Sequence, residues 1–119
     1  MENKNYQKVS VGKEPRVELH DKLNLTGAEI SKNVIPAGGS VPFVHSHKQN
    51  EEIYFITDGE GKVVIDGENV FIKAGDFIRI SPNAKRQFYA SEKKQLEFIC
   101  IQVKENSLQN YTLTDAVVY

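Results

Sequence analysis

His45 and His47 are one residue apart. Side chains along an extended chain alternate with a period of two, so both imidazoles point to the same side of a strand. The polar break Lys48-Gln49-Asn50 reads as a turn that returns Glu52 antiparallel to face the pair. Two imidazoles and a carboxylate converging on one point form a ligand set for a divalent transition metal: iron, manganese, nickel or zinc. Two histidines near acidic residues can also be a solvated surface cluster. Here Val41-Pro42-Phe43-Val44 leads into the pair and Ile53-Tyr54-Phe55-Ile56 follows the carboxylate, so both limbs read as apolar strands ending beside a packed interior.

The same alternation predicts what surrounds the three groups. With His45 and His47 inward, Phe43 shares their side; with Glu52 inward, Tyr54 and Ile56 share its face. Together they describe an apolar, partly aromatic pocket with a polar focus, the usual form of a small-molecule site. Ile56 also reads as ordinary core, and Tyr54 as a candidate proton donor.

These groups must be positioned by short strands. Val17–Asp21, Ala28–Ile35, the histidine segment, Glu52–Thr57, Lys62–Ile65, Asn69–Lys73, Phe77–Ile80, Arg86–Tyr89 and Leu96–Val103 all read as strands. Between them lie turn signals: Pro36-Ala-Gly-Gly-Ser40, Asp58-Gly-Glu-Gly61, Asp66-Gly67, Ala74-Gly75-Asp76 and Ser81-Pro82-Asn83. Many short strands at this spacing predict an all-β sandwich or barrel, and no stretch holds a helical period.

The chain of 119 residues suits one domain with a single core. The barrel is expected over about residues 28–103, with an N-terminal arm (1–27) and a C-terminal tail (104–119). Fifteen basic and sixteen acidic residues leave a formal charge of −1, too weak a field to hold a nucleic-acid backbone or an anionic membrane. No apolar run approaches the roughly 20 residues of a membrane span, and the first residues lack the apolar centre of a signal peptide, so a cytoplasmic location is expected. Cys100, the one cysteine, sits in Phe98-Ile99-Cys100-Ile101 and reads as a buried thiol. His20 reads as a surface residue.

The chain resembles the cupin superfamily over about residues 28–103. Gly39, His45, His47, Glu52 and Gly59 meet the spacing of its first motif, and Gly75-Asp76 through Pro82 and Arg86 partly match its second, with Ser81 and Asn83 departing from it. The resemblance implies a double-stranded β-helix, a small jelly roll, with the site inside one open end. It also places Arg86 where the family usually has a third metal-binding histidine. Small cupins commonly dimerise, so with the N-terminal arm and the apolar end Ala116–Tyr119 a homodimer is expected.

A guanidinium offers only donors and cannot be a metal ligand. Three placements of Arg86 follow. In the first, His45, His47 and Glu52 hold the metal with water or ligand in the remaining positions, and a one-residue slip turns Gln87 inward as a further ligand. In the second, Arg86 enters the pocket, pairs with Glu52 and replaces the metal charge, which suits a carboxylate or another small anion. In the third, it is a solvated surface residue. Arg79, which interrupts Phe77-Ile78-Arg79-Ile80, is either solvated or a second ligand anchor. A metal site of this kind supports dioxygen, isomerase or lyase chemistry on a small oxygen-rich molecule, and a barrel without reaction supports binding of a small metabolite.

Overall fold

The computed structural model describes residues 5–119, so the first four residues of the expected arm lie outside the described part. Its strands are β1 (Arg16–Glu18), β2 (Glu29–Ile35), β3 (Asn50–Ile65), β4 (Glu68–Lys73), β5 (Phe77–Ile80), β6 (Arg86–Ala90) and β7 (Leu96–Lys104). Two single helical turns, α1 (His20–Leu23) and α2 (Thr112–Asp115), complete the described elements. All strand pairings are antiparallel. One sheet runs β1-β2-β7-β3-β5; the other runs β4-β3-β6. The two share β3, and the apolar interior lies between them, a jelly-roll barrel.

β3 is where the structure departs most from the sequence reading. The expected turn at Asp58-Gly59-Glu60-Gly61 does not separate two strands. The chain runs through it as one 16-residue strand, with a bulge between Ile56 and Asp58. An extra residue in one strand reverses which side chains face inward. Accordingly Glu52, Tyr54 and Ile56 are buried before the bulge and Val63 after it. The glycines permit this crossing because other strands press against them: a Cβ on Gly59 would lie 1.7 Å from the Gln95 carbonyl oxygen, and one on Gly61 would lie 2.1 Å from that of Tyr89.

The segment carrying the two histidines is also not a regular strand. Residues 39–47 form an irregular antiparallel edge beside β6, with isolated bridges pairing Ser40 with Tyr89 and His45 with Arg86. Pro42 has no N–H to contribute, and a bend at Pro42-Phe43 interrupts the ladder. The expected hairpin from the histidines into Glu52 is therefore replaced by contact across the barrel. At the other end, Val17–Asp21 is strand only to Glu18; α1 follows, closed by Asn24 in the left-handed conformation at φ 53°. Part of the segment expected as an arm, β1, is thus an edge strand of the first sheet.

Ile56, Val63 and Leu96 are completely buried, each stabilising the fold by roughly 1.5–3 kcal/mol. Tyr54, Phe88 and Phe98 form an aromatic floor beneath the open end, with ring centroids 4.4 to 5.5 Å apart. Cys100 is buried beside them. No helix among the described residues is long and apolar enough to cross a membrane.

Two glycine substitutions separate close approach from backbone strain. Gly67 has φ +84° and open space around it, so Gly67→Ala is expected to cost only about 1 kcal/mol. Gly61→Ala must push β3 and β6 apart, and a loss of about 3 kcal/mol or more is expected. Urea unfolding midpoints of the two variants measure the difference.

Candidate metal centre and its pocket

Each of the three converging groups is fixed by a different part of the chain. His45 N–H donates to the Arg86 carbonyl at 3.1 Å, and Arg86 N–H returns a bond to the His45 carbonyl at 3.0 Å. His47 N–H donates to the Pro82 carbonyl at 2.7 Å. Glu52 rises from β3, held between Ile80 on β5 and Gln102 on β7. One nitrogen of each imidazole and a Glu52 oxygen lie within 4.8 Å of one another. His47 Nε2 approaches Glu52 Oε2 to 3.1 Å without the alignment of a hydrogen bond, and His45 Nε2 stands 3.7 Å from Oε1. The two rings meet edge to face, 5.2 Å apart.

Further groups surround the Glu52 carboxylate. The Tyr54 hydroxyl donates to Oε1, and the Cys100 thiol lies 3.4 Å from Oε2. Arg86, with no side-chain exposure, brings Nε to 3.5 Å from Oε1. Its two terminal nitrogens donate to the carbonyls of Pro82 and Ser81, at 3.3 and 2.9 Å. Alternation along β6 sets this arrangement: Arg86, Phe88 and Ala90 face in, Gln87 and Tyr89 face out.

Burial alone would raise the Glu52 pKa. The His45 imidazole, the Tyr54 hydroxyl, and the charges of His47 and Arg86 outweigh it and hold the carboxyl at about 2, below the ordinary 4.5. Burial and the neighbouring Cys100 and Glu52 push Tyr54 far above its usual range, and burial with Glu52 pushes the Cys100 thiol up. Both remain protonated donors aimed at one carboxylate.

His45 Nδ1, His47 Nε2 and Arg86 Nε are buried without a hydrogen-bond partner. Orphaned buried nitrogens are costly; the orphaned His47 Nε2 at 3.1 Å from Glu52 Oε2 and the His45 Nε2 at 3.7 Å from Oε1 form, with that ionised carboxylate, the ligand set a divalent cation satisfies, and the orphaned His45 Nδ1 is that ring's other nitrogen. The residues present therefore fit a metal ion.

The centre opens into a cavity of about 240 Å³. Tyr54 lines it as the alternation predicts. Phe43 also lines it, but from the rim, 59% exposed and edge-on to His45. Ile56 does not line the cavity: it is core, packed with Phe88 and Leu96. Arg79 is not a pocket residue either. It lies on the outer face, where Glu51 and Glu105 bind it at 2.6 and 3.0 Å. Gln87 is no ligand, because alternation without a slip turns it outward; its amide donates to the Val41 carbonyl at 2.7 Å and so supports the histidine segment. His20 is on the surface, paired with Asp21 and Glu29.

The cavity wall also includes Arg16, Ser31, Asn33 and Gln102, which sequence reasoning missed. Ser31, Lys32 and Asn33 are consecutive buried polar residues on β2, whose outward parity is obscured because Lys32 is covered by the chain at Gly12 and Glu14. A polar run inside an apolar strand was the available signal.

Comparison with known proteins places these features in context. A family model described as the cupin domain matches residues 33–102. A crystal structure of a cupin protein from Bacteroides fragilis is 59% identical, covering 98% of this chain and 99% of that one, with a TM-score of 0.95. A crystal structure from Thermotoga maritima, described as a predicted oxalate decarboxylase, is 31% identical over 65% of this chain and 64% of its own, with a TM-score of 0.56. An oxalate-binding protein from Thermotoga maritima is 31% identical over 83 residues, 70% of this chain and 64% of its own. The curated relatives that the chain matches are spanned over 56 to 64% of their length.

The depressed pKa of Glu52 makes stability depend on pH in a defined direction. Its contribution is complete above pH 4.5 and is lost as pH falls through about 2. In metal-free protein the stability difference between wild type and Glu52→Gln is expected to shrink by on the order of 3 kcal/mol across that interval. Urea midpoints over the acid range measure it; a constant difference would contradict it.

Proposed function

The chain belongs to the cupin family, and we propose that it holds a divalent transition metal on His45, His47 and Glu52 and binds a small anionic metabolite, a carboxylate, beside it. The observation that carries this reading is the meeting of the three ligand groups, within 4.8 Å, at the head of a cavity with Arg86 buried behind them. A doubly charged ion together with the Arg86 guanidinium outweighs the single Glu52 carboxylate, and an anion entering the cavity neutralises the excess. The name of the oxalate-binding relative is consistent with a carboxylate ligand.

When bound, the ion supplies Lewis-acid or redox chemistry to a ligand oxygen. The chain's own groups bind and orient. Tyr54 and Cys100 keep their protons and hold Glu52 in place, and the aromatic floor gives the cavity its apolar wall. Apart from the ligand set, no cavity-lining group among the described residues is a ready general base. This favours binding, or a reaction carried by the metal, over acid–base catalysis by side chains.

A metal-free reading is favoured by one contact, Arg86 Nε at 3.5 Å from Glu52 with both side chains buried. There Arg86, which pairs with Glu52 but does not itself line the cavity, replaces the metal charge. A homodimer is the third part of the proposal. The outer face of the first sheet carries the stacked Phe55 and Phe77, the latter 70% exposed, and Leu113, Val118 and Tyr119 of the tail are exposed. A monomeric mass by light scattering would refute it.

The decisive experiment offers iron, manganese, nickel and zinc in turn and measures metal content beside His47→Ala. About one ion per chain in wild type, lost in the variant, is expected. No ion in either protein, with anion-induced thermal stabilisation that disappears in Arg86→Met, would overturn the metal reading in favour of the metal-free one.

A further inference from the structure

On the wall of the same cavity, along β1 and β2, three side chains form a directional chain of hydrogen bonds. Arg16 Nη1 donates to Asn33 Oδ1 at 2.6 Å, and Asn33 Nδ2 donates to Ser31 Oγ at 3.0 Å. Ser31 is thereby used as an acceptor, so its O–H is the next donor in the chain. A cation at one end polarises every bond in the same sense and strengthens that last donor. Ser31 and Asn33 are buried, and all three residues line the cavity. Two buried polar side chains backed by a guanidinium that is itself 57% exposed and shared with Glu18 ask for an acceptor, and an anionic one best.

The placement of Arg16 is itself built. β1 pairs with β2 so that Arg16 stands opposite Asn33. The chain before it is fastened by Lys32, whose ammonium donates to the Gly12 and Glu14 carbonyls at 2.9 and 2.8 Å, and by Val34 N–H to the Pro15 carbonyl at 2.8 Å. Burying a lysine to fix a short edge strand gives that strand a defined side chain to present. Arg16 Nη2 also donates to the exposed Glu18 carboxylate at 3.0 Å. Two of its five N–H donors are engaged by these bonds, and the fork retains donors for a ligand carboxylate.

We propose that Arg16, Asn33 and Ser31 form a second anion subsite, so that the pocket selects a small dicarboxylate. One carboxylate lies at the His45–His47–Glu52 centre and the other on this donor wall. The assignment rests on the proposed anion-binding role of the centre and adds the ligand class: a diacid over the monoacid of equal chain length.

The test uses succinate and butyrate, which share a four-carbon chain and differ by one carboxylate, measured by calorimetry on full-length protein loaded with manganese or zinc. Arg16→Gln and Ser31→Ala are compared with wild type, with thermal midpoints reporting fold and elemental analysis reporting metal content. Wild type is expected to bind succinate roughly tenfold or more tightly than butyrate. Arg16→Gln should remove most of that preference, leaving butyrate affinity and metal content unchanged, and Ser31→Ala should remove a smaller part. Equal affinity for the two acids in wild type, or a preference untouched by Arg16→Gln, overturns the subsite. Wild type without metal sinks the metal reading of the centre; a diacid preference that still collapses in Arg16→Gln then upholds the subsite alone.

Discussion

An ionised carboxylate buried inside the barrel is the constraint on which the rest of this structure depends. Glu52 is 2% exposed, and a charge so placed persists only when its neighbours replace the lost water. Five side chains do so, from four elements: two imidazoles from the irregular edge, a phenol from the same strand, a thiol from β7 and a guanidinium from β6. The apolar interior below gives these contacts their strength, because a low local dielectric magnifies both the attraction and the penalty for leaving any partner out.

That convergence requires one strand to serve two sheets. β3 brings Glu52 and Tyr54 against β7 and β5, then passes the bulge after Ile56 and pairs with β4 and β6. Through its second half it places β6, and β6 in turn carries Arg86 inward and holds the histidine edge. Gly59 and Gly61 are therefore part of the site's construction although neither touches it. They let the crossing strand come within reach of the backbone at Gln95 and Tyr89.

Arg86 changes what the centre can do. In its inward position it brings a permanent cation to the carboxylate that also serves the two histidines, and each of its two terminal nitrogens donates one bond, to the Ser81 and Pro82 carbonyls. A metal ion there would sit beside a fixed positive charge, a setting that favours anionic partners over neutral ones. Arg16, Asn33 and Ser31, the proposed second subsite, line the same cavity.

The all-β class and the spacing of its turns were legible because Gly, Pro, Asn and Asp punctuate the chain at short intervals, and two-residue alternation needs only neighbours in sequence. The same local rule placed His45, His47, Glu52 and Tyr54 together, and the structure joins the first three within 4.8 Å. Local rules fail where pairing between distant strands decides. The inward turn of Arg86 and outward turn of Gln87 follow from the register of β6 on β3, and Arg79 is claimed by Glu51 of β3 and by Glu105 in the turn after β7. Ser31 and Asn33 face a cavity only because β2 pairs with β7, and Arg16 reaches it only because a buried Lys32 fastens β1 beside them. The sequence by itself determined which residue types could do chemistry and most of the strands, though not the irregular edge that carries His45 and His47. Tertiary structure decided which of them share one space, because strand register and a single bulge set facing direction over separations that no local pattern records.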